Sequence, residues 1–197
     1  MSSVELSASQ IESQWSQPYK GTVGMLSLIA AESAIFTIFV VAYIFYIGKS
    51  ISGPTPKILE LPIFASICLL SSSLTIHLAV GALRKANYST FKLLWFVTFA
   101  LGTIFLTATG REWHHLIYDE GLTISTNLFG TTYYSLVGLH AFHVTVGLVG
   151  LLIVFLLSLV ARVKQEHGER VEVFALYWHF VDAVWVVVFT VVYIVGR

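Results

Sequence analysis

The chain has 197 residues, 56% of them hydrophobic and 11% charged, and its eleven Lys and Arg are balanced by eleven Asp and Glu. A soluble domain carries charged residues at about 25%, so this composition excludes one and points to membrane-spanning helices. Zero formal net charge also excludes the basic patch that a nucleic-acid partner requires.

The first 19 residues are polar and lack both a basic start and a short apolar core before a cleavage site. They do not read as a signal peptide, so the first span is expected to remain as an anchor. Five apolar runs follow, each long enough to cross about 30 Å of hydrocarbon at about 1.5 Å per residue. They are predicted at Thr22–Ile47, Leu61–Leu83, Phe91–Gly110, Thr131–Val160 and Val173–Val195. The expected fold is all-α: a polar amino-terminal segment over 1–21, then one polytopic membrane domain over 22–197 with five transmembrane helices. No internal repeat suggests an inverted-repeat transporter.

Each span carries its own polar signal. The first holds Glu32, ten residues in, hence about 15 Å deep. Ser50 to Pro56 is turn chemistry, and Pro62 suits the first turn of the second helix because its missing N–H costs nothing there. The second span holds the only cysteine, Cys68, with Ser71, Ser72, Ser73, Thr75 and His77. Such a hydroxylic helix is expected to pack inside the bundle. Arg84 to Tyr88 is so short that the second and third spans must be antiparallel neighbours. Arg111 to Gly130 is the longest link; its stretch Trp113–Tyr118 suits an interfacial helix, and Glu112 reads as a solvated interfacial charge. The fourth span lines up Val137, His140, His143, Gly147 and Gly150, with the glycines allowing close approach of another helix. In the fifth, Trp178, Asp182 and Trp185 follow i, i+4, i+7 spacing and His179 joins the same face.

Lys and Arg assign the sides. Lys20, Arg84, Lys85, Lys92, Arg162, Lys164 and Arg170 fall on one side, and Lys49, Lys57, Arg111 and Arg197 on the other. The excess of positive charge belongs to the cytoplasm, so the amino terminus is expected inside and the carboxyl terminus outside.

Ionisable groups in hydrocarbon are costly and mark protein-facing positions with a role. His140 and His143, three residues apart, suit metal ligation completed by Glu32 or Asp182; the alternative is structural hydrogen bonding between helices. Glu32 reads either as a neutral carboxyl bonded to another helix or as part of a proton relay. Asp182 is expected to pair with Trp178, His179 or a cross-helix donor, and Trp178 and Trp185 to anchor packing. No phosphate-binding glycine loop, Ser/His/Asp triad or zinc-finger spacing is present, so the residues give no obvious place to make or break a bond.

Four segments carry a family resemblance: Gly24-Met25 with Ala31-Glu32-Ser33-Ala34-Ile35-Phe36; Gly110-Arg111-Glu112-Trp113; Gly130-Thr131-Thr132-Tyr133-Tyr134, then Gly138-Leu139-His140-Ala141-Phe142-His143-Val144 with Gly147; and Tyr177-Trp178-His179-Phe180-Val181-Asp182-Ala183-Val184-Trp185. From about Val23 to Gly196 the chain resembles subunit III of the haem-copper oxidases, which include cytochrome c and quinol oxidases. The resemblance implies a five-helix form of a seven-helix family, acting as a non-catalytic accessory subunit of an oxidase that reduces oxygen to water and pumps protons. It implies no cofactor and no catalytic centre in this chain, the haems and copper belonging to subunits I and II. It also implies contact with subunit I, bound phospholipid, support of proton uptake and of the catalytic subunit's durability, and a multi-pass place in the inner (plasma) membrane of a bacterium. On this mapping Lys20 and Glu32 are lipid-contact candidates. His77, Glu112, His140, His143, Trp178, His179, Asp182 and Trp185 are buried polar groups with structural or proton-related standing. The accessory protein of bacterial nitric oxide reductases shares the fold and much of the motif set, and remains the alternative.

Overall fold

The computed structural model describes residues 19–50 and 52–196, so most of the polar segment 1–21 and Arg197 lie outside the described residues. Among the described residues there are five helices long and apolar enough to cross a membrane, and no strand. They are α1 (Lys20–Tyr46), α2 (Ile63–Arg84), α3 (Tyr88–Tyr118), α4 (Leu128–Leu159) and α5 (Gly168–Phe189). The last runs on without a break into a π-helical segment, Thr190–Val195. Single 3₁₀ turns at Pro56–Ile58 and Gln165–His167 sit in the links.

Local chemistry starts and stops these helices. Asn87 caps α3 by accepting from the Thr90 amide at 3.2 Å, and Asn127 caps α4 by accepting from the Gly130 amide at 2.9 Å. Each side-chain oxygen satisfies one of the amides that a helix start leaves without a partner. The link between α2 and α3 closes on Ala86 at φ 55°, with the Asn87 amide returning to the Ala82 carbonyl at 2.9 Å.

The third span differs most from its expected bounds. It does not stop at Gly110: α3 continues for two more turns to Tyr118, so Trp113–Tyr118 is the end of a membrane helix rather than a separate interfacial one. Hydropathy falls at Arg111-Glu112, but neither residue breaks a helix, and Glu112 finds partners inside the bundle.

The helices α2 and α3 form the most extensive pair; α4 packs on α3, α5 and α1, and α5 on α2, α4 and α1. Helix α1 is therefore held mainly by α4 and α5. It buries only Phe36 and Tyr43, whereas α4 buries residues along most of its length. Lipid tails are as apolar as leucine side chains, so close packing and interhelical hydrogen bonds supply the cohesion.

Trp178 is fully buried and tightly packed. A Cβ at Gly102 would lie 2.8 Å from its ring, and one at Gly147 would lie 2.6 Å from it. The two glycines thus form the walls of a slot for one indole. Gly150 admits Phe174 in the same way, 2.3 Å from a built Cβ, so the small-residue stripe of the fourth span does allow close approach. Gly147→Ala is expected to lose about 1–3 kcal/mol by overpacking, despite alanine's better helix propensity. Thermal unfolding of the purified chain measures this. Gly138→Ala, whose Cβ would stand an ordinary 3.7 Å from Trp113, serves as the neutral comparison.

Candidate functional site

The buried polar groups of the five helices resolve into three places: a seam between α2 and α5, a pair joining α1 to α4, and a cluster at the α3 carboxyl end.

The seam is a ladder of serines facing indoles and an imidazole. Trp185 Nε1 donates to Ser66 Oγ at 3.0 Å, and Trp178 Nε1 donates to Ser72 Oγ at 2.8 Å. His179 Nδ1 lies 2.6 Å from Ser73 Oγ. Because α2 and α5 run antiparallel, rungs one or two turns apart on one helix meet partners one or two turns apart on the other. One face of the hydroxylic second span is thus internal, its serines presenting hydrogen-bonding groups to the aromatic face of the fifth. Ser71 and a ridge of apolar side chains such as Phe64 and Leu74 stay exposed on the other. His77, expected to be buried, is instead exposed: it stands beside His179, ring centroids 6.5 Å apart, in the open recess that Arg84 and Glu172 line at the end of the seam. Across the seam, the Arg84 guanidinium and the Glu172 carboxylate form an exposed ion pair.

Asp182 lies on the same face of α5 and is 3% exposed, but neither of its oxygens has a hydrogen-bond partner. The expected pairing with Trp178 or His179 does not form, because Ser72 and Ser73 take those two side chains. His140 shares this condition: it is 1% exposed and neither ring nitrogen is bonded. Its ring stacks on Trp185 at 5.0 Å and meets the edge of Phe105 at 5.8 Å. It acts as an aromatic packing unit.

His143 behaves differently from His140, three residues earlier. Its Nε2 lies 3.2 Å from Glu32 Oε2, which fastens α1 to α4, while its Nδ1 lies 2.8 Å from the Leu139 carbonyl oxygen. A carbonyl only accepts, so Nδ1 carries a proton. The Glu32 contact then needs one further shared proton: either a protonated carboxyl donates to a neutral imidazole, or an imidazolium donates to a carboxylate. Both arrangements are neutral overall, which suits a site where lone charges are costly. Phe36 covers His143 at 5.0 Å, and the Tyr177 hydroxyl donates to the His143 carbonyl at 3.1 Å. Lys20, the first residue of α1, is exposed.

The third place corrects the reading of Glu112 as a solvated charge. Its Oε1 accepts from the Tyr193 hydroxyl at 2.9 Å and from the Tyr133 hydroxyl at 3.3 Å, and the two phenol oxygens are 3.4 Å apart. Tyr133 and Tyr193 are buried; sequence reading placed Tyr133 in a motif without giving it a role, and passed over Tyr193. The signal for them was available: each lies on a span at the depth of Glu112 and has a hydroxyl needing a partner. The π-helical segment carries Tyr193 into place, and the Gly196 amide returns to the Val191 carbonyl at 2.9 Å in the i→i−5 manner of such a turn.

Chemically, this arrangement holds helices together. Among the described residues, no three His, Cys, Asp or Glu side chains converge as a metal site; His143 turns to Glu32, and His140 and Asp182 join neither.

Comparison with known proteins gives the family. The family described as "Cytochrome c oxidase subunit III" matches residues 20–197. The "Cytochrome c oxidase subunit 3" of Alkalihalophilus pseudofirmus is 34% identical over 177 residues, 88% of this chain and 86% of that protein. The protein of the same description from Synechocystis sp. is 39% identical over 181 residues, 87% of this chain and 74% of its own length. A "Cytochrome bo(3) ubiquinol oxidase subunit 3" from Pseudomonas aeruginosa is 33% identical over 177 residues, 88% of this chain and 84% of that protein.

Proposed function

Since the chain belongs to the cytochrome c oxidase subunit III family, we propose that it serves its haem-copper oxidase as a non-catalytic accessory subunit in the inner (plasma) membrane of a bacterium. The oxidase reduces oxygen to water and pumps protons, with haem and copper held by the partner subunits. This chain packs against subunit I, retains phospholipid beside α1, supports proton uptake and prolongs the working life of the catalytic subunit. The observation that carries the reading is where the polar groups are used: Trp178, Trp185, His179, Glu32, His143 and Glu112 all bond across helix interfaces. A chain built so spends its chemistry on shape. Lys20 and Glu32, both on the lightly buried α1, are the lipid contacts of the proposal.

Two experiments test it. The tagged chain, extracted gently from its native membrane, is expected to bring down a larger haem-bearing partner. A haem-free preparation would overturn the oxidase role, and the haem types of that partner separate an oxidase from a nitric oxide reductase. A reporter fused to the carboxyl terminus should be active outside the cytoplasm, since Arg84, Lys85, Arg162 and Lys164 mark the other end as internal; activity inside would reverse the orientation.

A further inference from the structure

A recess of about 490 Å³, bordered by Glu112 of the third polar place, opens at the start of α2 and the end of α3. Its polar lining includes Glu60, Arg111, Glu112 and His115, the last paired with Asp119 at 2.7 Å, and its apolar wall includes Leu61, Ile63 and Phe64. Two features of the recess are unspent. Glu112 commits Oε1 to the two tyrosines, while Oε2 takes no hydrogen bond among the described residues. Arg111 is exposed and has no ion-pair partner among the described residues, and neither has Glu60.

The position of the recess is as informative as its charge. It lies where α2 begins, hence at headgroup depth for a helix that spans the bilayer. Below it the exposed side of α2 continues as Ile63, Phe64 and Ile67, which are 55%, 71% and 58% exposed. A ligand seated here would have its charged part among two carboxylates, one guanidinium and an imidazole already paired with Asp119, and an apolar part against that ridge.

We infer that this recess binds the headgroup of an ammonium-bearing zwitterionic phospholipid, the ammonium on Glu60 and Glu112, the phosphate on Arg111 and an acyl chain along Ile63, Phe64 and Ile67. Charge complementarity selects this occupant. A bare metal cation would meet Arg111 and lacks a third ligand among the described residues. An anionic lipid without an ammonium would place its phosphate beside Arg111 but leave both carboxylates facing unpaired negative charge. Guanidinium pairs well with phosphate oxygens, and the ammonium supplies up to three donors to the carboxylates. Tyr133 and Tyr193 occupy Oε1, which leaves Oε2 to accept from the ligand. The site is separate from the lipid contacts proposed at Lys20 and Glu32, and it rests on the membrane bundle alone, not on the oxidase role.

The full chain in nanodiscs or gentle detergent, probed by native mass spectrometry, provides the test. Phosphatidylethanolamine and phosphatidylglycerol with identical acyl chains are titrated in parallel. Phosphatidylethanolamine is expected to bind roughly tenfold more tightly, the ratio that one charge-assisted hydrogen bond supplies. Glu60→Gln should abolish most of that preference, Glu112→Gln should do the same, and Arg111→Gln should weaken both lipids. Glu60 is exposed and bonds to no helix, so Glu60→Gln decides the matter even if Glu112→Gln fails to fold. Equal binding of the two lipids, a preference for phosphatidylglycerol, or a preference unchanged in Glu60→Gln would each overturn the inference.

Discussion

Trp178→Ala is expected to destabilise the folded bundle by about 3–5 kcal/mol, the range for deleting a large buried aromatic side chain. Three contributions act together at one residue. The indole fills the slot between Gly102 and Gly147, and two facing glycines cannot reach across the space it leaves. Its Nε1 donates to Ser72, and it is fully buried at the meeting of α3, α4 and α5. Trp178→Phe separates these contributions, keeping much of the volume while losing the hydrogen bond, for which about 0.5–1.5 kcal/mol is the net scale. Unfolding of the purified chain in mixed micelles, followed by circular dichroism, gives both values. An alanine variant as stable as the parent would mean that the slot closes by itself and that the α2–α5 seam is not what secures the fifth helix.

Glu32→Ala is the second large effect, and it should appear in function as well as in stability. The substitution leaves His143 Nε2 unpaired in an apolar setting, at a cost of about 1–3 kcal/mol. It also releases α1, which otherwise contributes few buried side chains. In the proposed oxidase complex, haem content and the initial rate of oxygen consumption should stay near those of the parent. The loss should appear as shorter survival over many turnovers and poorer phospholipid retention. Glu32→Gln, which can still hydrogen-bond to the imidazole, should recover part of both. Oxygen uptake traced to exhaustion, with haem measured in parallel, makes the comparison. Loss of haem, or of the initial rate at once, would place Glu32 in the chemistry and end the accessory reading.

Much of the architecture was readable from hydropathy because a bilayer demands long apolar helices, and the short Arg84–Tyr88 link left α2 and α3 no choice but to pair. The face of α5 bearing Trp178, Asp182 and Trp185 was also legible, since helical spacing alone puts them together. What the face meets was not. Ser66, Ser72 and Ser73 become partners only through the rotation of α2, and that rotation is decided by packing of the whole bundle. The same limit explains the two histidines of α4: spacing puts His140 and His143 side by side, but only the docking of α1 brings a carboxylate to one and not the other. Hydropathy failed at Arg111-Glu112, where it registers charge but not the two tyrosines that accommodate Glu112. Tyr193 escaped for a geometric reason as well. A π-helical turn shifts the phase of the helix near its end, so 100° spacing counted from Trp185 points it elsewhere.

The neutrality of the Glu32–His143 pair bears on how the protein behaves when its membrane is energised. A single charge moved across a bilayer at 100 mV exchanges about 2.3 kcal/mol with the field. A proton hopping within this pair would travel on the order of 1 Å of a barrier about 30 Å thick, so the voltage could bias it by no more than about 0.1 kcal/mol. The fastening of α1 to α4 therefore carries almost no gating charge. It should hold equally well in resting and fully respiring cells, a property an exposed ion pair of separate, full charges spanning different depths would lack.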